Sequence, residues 1–173
     1  MAVIAIPDPS LVVLIGAAGA GKTTFAARHF DASEVLSSDA FRAAISGDAA
    51  DQSATAAAFR ALHRTLERRL RDGRLCVVDA TNLGREARRA LLSRAASAGV
   101  PAVAIVLDLP IGTVLARNAA RLDRVVPEGV VRRQLEHVRR IVDDAALDRD
   151  AFQHVVILRD PAEVKAIEIR RVR

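Results

Sequence analysis

Gly16-Ala17-Ala18-Gly19-Ala20-Gly21-Lys22-Thr23 has the spacing G-x-x-x-x-G-K-[ST]. Glycines at those positions let a backbone curl until several N–H groups converge on one point, which suits an anion. A helix starting at Lys22 would add its positive N-terminal end. Lys22 carries a compact ammonium able to reach the β- and γ-phosphates of a nucleotide. Thr23 offers a hydroxyl for Mg²⁺, and Thr24 continues the same turn. The chemistry indicated is the holding of ATP or another NTP with Mg²⁺. Of the 26 basic residues, all but Lys22 and Lys165 are arginine. A lysine kept where a rotatable point charge is required strengthens that reading.

Two carboxylates end apolar runs. Asp79 closes Leu75–Val78 and is placed to hold the metal, through water. No acidic residue follows it, so the water-activating carboxylate of many ATPase motors is missing. No Asn-Lys-x-Asp occurs, which argues against a GTPase switch. Asp39 follows Val35–Ser37, at a strand end beside the phosphate loop, where a carboxylate can take the proton of an attacking hydroxyl. Arg42 lies one helical turn on. Asp39 has an alternative role as a helix N-cap, and Asn82 is open between a cap and a substrate contact. Arg117, Arg121 and Arg124 are spaced i, i+4, i+7, one stripe if a single helix carries them, and three such cations call for an anion among them. Arg132, Arg133, Arg139 and Arg140 read as a solvated face.

The elements that must position these groups are legible as an alternation. Strand-length apolar runs at Leu11–Ile15, Val35–Ser37, Leu75–Val78, Ala102–Leu107 and Val155–Leu158 are separated by amphipathic stretches. That is the pattern of an α/β fold with a parallel sheet covered on both faces. Helices are expected from Lys22 to Phe30, and on a face formed by Phe59, Leu62, Leu66 and Leu70. A third carries Ala87, Leu91, Ala95 and Ala98. Pro110 and Pro127 each open a further helix as its first residue. The first buries Ile111, Leu115 and Leu122; the second buries Val131, Leu135, Val138 and Val142. The tail Ala166–Val172 alternates as a half-exposed strand or an edge.

Length and composition set the bounds. The 173 residues form one domain, 1–173, without repeat or linker. Fifty-one per cent hydrophobic residues with 27% charged exclude a disordered chain. One cysteine excludes a disulfide framework or zinc cluster. Leu11–Ile15 is too short to cross a bilayer, and Asp8 with two prolines leaves no room for a signal peptide, so no membrane and a cytoplasmic location are expected. The net charge of +5 favours a polyanionic partner. With aromatics at 3% and no Tyr or Trp, a sheet of base-stacking aromatics is not expected.

In the Leu11–Phe30 block, Val35–Arg42, Asp51-Gln52, Phe59…Leu62-His63, Val77–Asn82, Arg117-Asn118…Arg121…Asp123-Arg124 and Val155–Leu158, the chain resembles a known family. It is similar to the 5′-OH polynucleotide kinase module of bacterial polynucleotide kinase–phosphatases, which are RNA-repair enzymes, and more distantly to phage polynucleotide kinase. The resemblance implies a P-loop kinase sheet of order 2-3-1-4-5, with helices on both faces and a helical lid over roughly 117–130. It implies transfer of an NTP γ-phosphate to a 5′-OH RNA or DNA end. Asp39 would be the general base, and Lys22, Thr23 and Asp79 would serve nucleotide and metal. Arg117, Arg121 and Arg124 would clamp the donor, and Arg42 and Gln52 would contact the acceptor. Thr23 stands where serine is common, and alanines fill the loop. In the family, phosphatase and ligase-like modules follow this one. A small-molecule kinase of the sugar or antibiotic type, and a nucleotide-gated binding module, remain as other readings.

Overall fold

The five apolar runs hydrogen-bond into one sheet in which every neighbouring pair is parallel. The computed structural model describes residues 2–173. Its strands are β1 (Val3–Pro7), β2 (Leu11–Gly16), β3 (Val35–Ser37), β4 (Cys76–Asp79), β5 (Ala102–Leu107), β6 (His154–Leu158) and β7 (Glu168–Val172). The main sheet has the order β3-β4-β2-β5-β6, which is 2-3-1-4-5 over the runs read from the sequence. The helices are α1 (Lys22–His29), α2 (Ser38–Ser46), α3 (Thr55–Arg71), α4 (Arg85–Ser97), α5 (Ile111–Ala119), α6 (Glu128–Asp143) and α7 (Pro161–Ala166). Among the described residues, no helix is long and apolar enough to cross a membrane.

β2 is buried throughout, and its alternate side chains feed two cores. Val12 and Leu14 pack with Phe25 of α1 and Val131 and Leu135 of α6. Leu11, Val13 and Ile15 pack with Leu62, Leu66 and Leu70 of α3 and Leu91 of α4. Each such side chain contributes about 1.5–3 kcal/mol by leaving water. The register then aligns the chemistry: Asp79 pairs with Leu14 on one side and with Ser37 on the other. The carboxyl ends of β2, β3 and β4 are therefore level, and the phosphate loop, Asp39 and Asp79 emerge along one edge.

Several expectations require correction. α5 ends at Ala119, so Arg117, Arg121 and Arg124 are not one helical stripe, and Leu122 is fully exposed. Asn118 explains the stop. Its amide donates to the Val126 carbonyl at 2.7 Å and accepts the Val126 N–H at 3.1 Å, stapling the connection to α6. Val114 and Asn118 are the buried residues of α5; Ile111 and Leu115 are half-buried. On α3, Ala58 takes the core position and Phe59 does not. On α4, Ala87 is exposed and Arg88 is buried, ion-paired to Asp150 at 2.7 Å with both side chains 2% accessible. On α6, Val131, Leu135 and Val138 are buried as expected, but Ile141 and not Val142 completes the face; Val142 is half-buried. Pro110 and Pro127 each lie just before their helices, as caps.

β1 and α7 have no counterpart among the expected elements, and the helical turn expected around Asp39 and Arg42 is α2. α2 begins directly at the end of β3. β1 pairs in parallel with β7, the alternating tail, as a separate two-stranded sheet whose Ile4 and Ile6 join the first core. α7 connects β6 to that sheet.

Candidate active site

The phosphate loop is held from two sides. Gly19 and Gly21 have φ of +82° and +96°, and a Cβ on Gly19 would lie 2.6 Å from the Val114 carbonyl oxygen. Only glycine lets α5 pack that closely. The cap of α1 is Gly21, with no side chain bonding the first turn, so the helix presents bare N–H groups to the cleft. Lys22 is 8% accessible and donates to the carbonyls of Gly16 at 2.9 Å and Ala17 at 2.8 Å. Burial pushes its pKa down to about 8; Asp79 opposes the shift and Arg121 adds to it.

The Thr23 hydroxyl donates to Asp79 Oδ2 at 2.7 Å, which unites the two residues expected at the metal. Both offer hard oxygen donors, the kind Mg²⁺ takes when phosphates and water complete its shell. No cluster of three or more His, Cys, Asp or Glu occurs among the described residues, so the site suits a nucleotide-borne Mg²⁺ and not a caged ion.

Asp39 stands in the first turn of α2, but the cap is Ser37, whose hydroxyl accepts from Ala40 N–H. The side chain of Asp39 faces cations instead. It is ion-paired with Arg42, and Arg124, in the connection between α5 and α6, comes to 3.6 Å. Arg42 is 7% accessible and anchored by its Nε–H to the Ala49 carbonyl at 3.0 Å. Burial, then the neighbouring Arg124, lowers its pKa.

Arg117 donates to the Ala20 carbonyl at 3.2 Å, bracing the loop from α5. Arg121 grips Asp123 with two hydrogen bonds of 3.1 and 2.9 Å. That pairing raises the guanidinium pKa and holds the Asp123 carboxyl well below the usual range. Lys22, Thr23, Thr24, Asp39, Arg42, Gln52, Asp79, Arg117, Arg121 and Arg124 all line one cleft of about 780 Å³.

Asn82 does not reach it. It is 4% accessible with φ of +51°, and its amide donates to the carbonyls of Leu14, Val78 and Ala80. Nor does it cap α4, where Gly84 holds that place. Arg139 and Arg140 are exposed on α6, as a solvated face should be.

The sequence model of the AAA domain family, AAA_33, matches residues 11–144, from the start of β2 to just past α6. The chain belongs to this family. No curated protein matches it in sequence. Among solved structures it is similar to a chain of the AvrRxo1-ORF1:-ORF2 complex with ATP, at 16% identity and a TM-score of 0.67, over 88% of this chain and 55% of that one. It is similar to a chain of the Pnkp1/Rnl/Hen1 RNA repair complex, at 19% identity and a TM-score of 0.64, over 80% and 47%. A gluconokinase from Sinorhizobium meliloti 1021 matches at 19% identity and a TM-score of 0.53, over 92% and 89%. The AAA-domain chain thus spans about half the length of the first two and most of the third. At these identities the likeness is one of fold, that of P-loop kinases.

Several cleft residues of this AAA-domain protein escaped the sequence. Gln134 of α6 accepts the Ala18 N–H at 2.9 Å, tying α6 to the phosphate loop. Arg28 lies one turn after Thr24 on α1, and Thr55 and Phe59 repeat that spacing on α3; all four line the cleft. Lys165 of α7 lines it too, so both lysines of the chain border the same space.

Proposed function

We propose that this AAA-domain protein is a cytoplasmic polynucleotide 5′-kinase, acting in RNA repair. It moves the γ-phosphoryl of ATP or another NTP to the 5′-hydroxyl of an RNA or DNA end. Asp39 takes the hydroxyl proton as the oxygen attacks the γ-phosphorus, the bond to the β–γ bridging oxygen breaks, and the nucleoside diphosphate leaves. Lys22 and the first-turn N–H groups of α1 orient the donor phosphates. Arg117 and Arg121 approach from α5 and the connection after it, to balance charge on the transferring group. Thr23 and Asp79 would hold Mg²⁺, which supplies neutralisation of phosphate charge.

The observation that carries the reading is Arg42, a buried and anchored guanidinium fixed beside the base. A neutral alcohol needs no cation there; a chain of phosphates does. The likeness of fold to a Pnkp1/Rnl/Hen1 RNA repair complex supports it.

A salt titration of oligonucleotide phosphorylation tests this assignment. Acceptor KM should rise with salt along a shallow slope, since few phosphates are engaged. Arg42→Ala should raise acceptor KM and flatten that slope, leaving donor KM alone. If no 5′-OH oligonucleotide is labelled at low salt while a small alcohol is phosphorylated well, the site belongs to a small-molecule kinase.

Proton uptake provides a second expected result. Burial lowers the Lys22 pKa to about 8, so the free protein gives up this charge as pH rises through that range, whereas a bound triphosphate favours the charged form. The nucleotide itself is fully ionised there. Calorimetric titration of Mg-nucleotide at pH 8 should show proton uptake, read from buffers of different ionisation enthalpy, and affinity should fall as pH rises further. Heats independent of buffer would contradict the placement of Lys22 on the phosphates.

A further inference from the structure

Five phenylalanines are the only aromatic residues apart from histidine. Phe25 and Phe30 are buried in the first core, and Phe41 and Phe152 pack against the second. Phe59 joins neither core. It satisfies the helical period of the α3 core face, yet Ala58 occupies the core position and Phe59, half-buried, lines the cleft. A large apolar side chain left partly in water on a cleft wall, where the core was available one residue away, points to a ligand surface.

The neighbours of Phe59 define what that surface meets. His63, one turn on, lies against the ring with centroids 6.1 Å apart and planes tilted by 60°. It fixes the ring from the side away from the helix start. Thr55 and Gln52 continue the wall toward α2, which carries Asp39 and Arg42. Thr24 and the cation Arg28, both of α1, line the same cleft. α3 packs against α2, which carries Asp39 and Arg42, so it flanks the acceptor side of the cleft. An aromatic face on one wall and guanidinium groups on the others form the pairing that binds a single-stranded nucleotide, stacking for the base and charge for its phosphates.

We propose that Phe59 is the platform on which the base of the acceptor's 5′-terminal nucleotide stacks, making it a specificity-determining residue of the 5′-kinase reaction. This rests on the polynucleotide reading of the site. Stacking tolerates any base but requires one, so the enzyme distinguishes a terminal nucleotide that keeps its base from one that has lost it.

The experiment compares wild type, Phe59→Ala, Phe59→Leu and Phe59→Trp on two 5′-OH oligonucleotides that differ only by an abasic first residue. For the base-bearing acceptor, Phe59→Ala and Phe59→Leu should raise KM about five- to a hundredfold, with kcat at saturation and donor KM unchanged. Phe59→Trp should restore the wild-type KM. On the abasic acceptor all four proteins should behave alike. The chain has no tryptophan, so the indole in Phe59→Trp is a lone fluorophore. The base-bearing oligonucleotide should quench it and the abasic one should not. Equal losses on both acceptors, or unchanged KM in both Phe59→Ala and Phe59→Leu, would overturn the assignment of Phe59 while oligonucleotide labelling by wild type still stood. Absence of labelling by wild type on either acceptor would remove the polynucleotide reading and the stacking role with it.

Discussion

Lys22→Ala is expected to abolish phosphoryl transfer, by at least about 10²–10³-fold, in a protein that melts no lower than wild type. The two halves of that result have one cause. Lys22 is buried among backbone carbonyls, and burial lowers its pKa from 10.5 to about 8. Between those values the unfolded chain holds the proton more tightly than the folded one, so stability contributed by this group rises as pH rises from about 8 to 10.5. At pH 7 the charge therefore opposes folding by roughly 3 kcal/mol, taking about 1.4 kcal/mol per pKa unit. Removing it relieves that penalty and forfeits two hydrogen bonds worth about 1 kcal/mol each. A group that a fold keeps charged at its own expense serves a ligand. Lys22→Arg should also be poor, because a planar fork does not fit where a point charge contacts two phosphates. Melting curves and single-turnover label transfer on the same preparations check both halves. A marked fall in melting temperature with transfer retained would make Lys22 a structural residue.

Asp39→Asn is expected to lower turnover about 10²–10⁴-fold with little change in donor affinity. Ser37 is the cap of α2, so the substitution removes no capping interaction. The asparagine carbonyl can still accept from Arg42, which keeps the guanidinium in place. What is lost is the capacity to accept the hydroxyl proton. Nucleotide binding by calorimetry, kcat per folded molecule and melting temperature separate the effects. Unchanged turnover with a lowered melting temperature would show that Asp39 acts only on the helix.

Much of this was legible in the sequence because the signals were local or continuous. The loop motif needs only its own eight residues, and unbroken apolar runs identify parallel strands covered on both faces. What failed depends on partners distant in the chain. The end of α5 is set by Asn118 reaching Val126 across the connection, a contact that helical periodicity does not register. Arg88 is buried because Asp150, 62 residues away, neutralises it. Residues of its type on an amphipathic helix ordinarily face water. β1 is apolar but is cut off at once by Asp8-Pro9, and its partner β7 lies at the other end of the chain, so their pairing leaves no local signal. Gln134 carried no signal, being a neutral amide on a surface helix. Phe59 was misplaced for the opposite reason: it fits the core pattern, and only packing shows that it is not used there. Asn82 looked like a cleft residue by its distance from Asp79, but its positive φ turns the amide back onto the sheet.

The activity proposed for this cleft is transfer of a terminal phosphoryl group to a 5′-hydroxyl. Its most direct measurement is the fate of γ-labelled nucleotide incubated with Mg²⁺ and wild-type protein in the presence of a 5′-OH oligonucleotide, a panel of small alcohols, or water alone. Label should appear on the 5′ end of the oligonucleotide and be lost in Asp39→Asn, with little released as inorganic phosphate. Label appearing on a small alcohol or only as inorganic phosphate, with the oligonucleotide untouched, would contradict it.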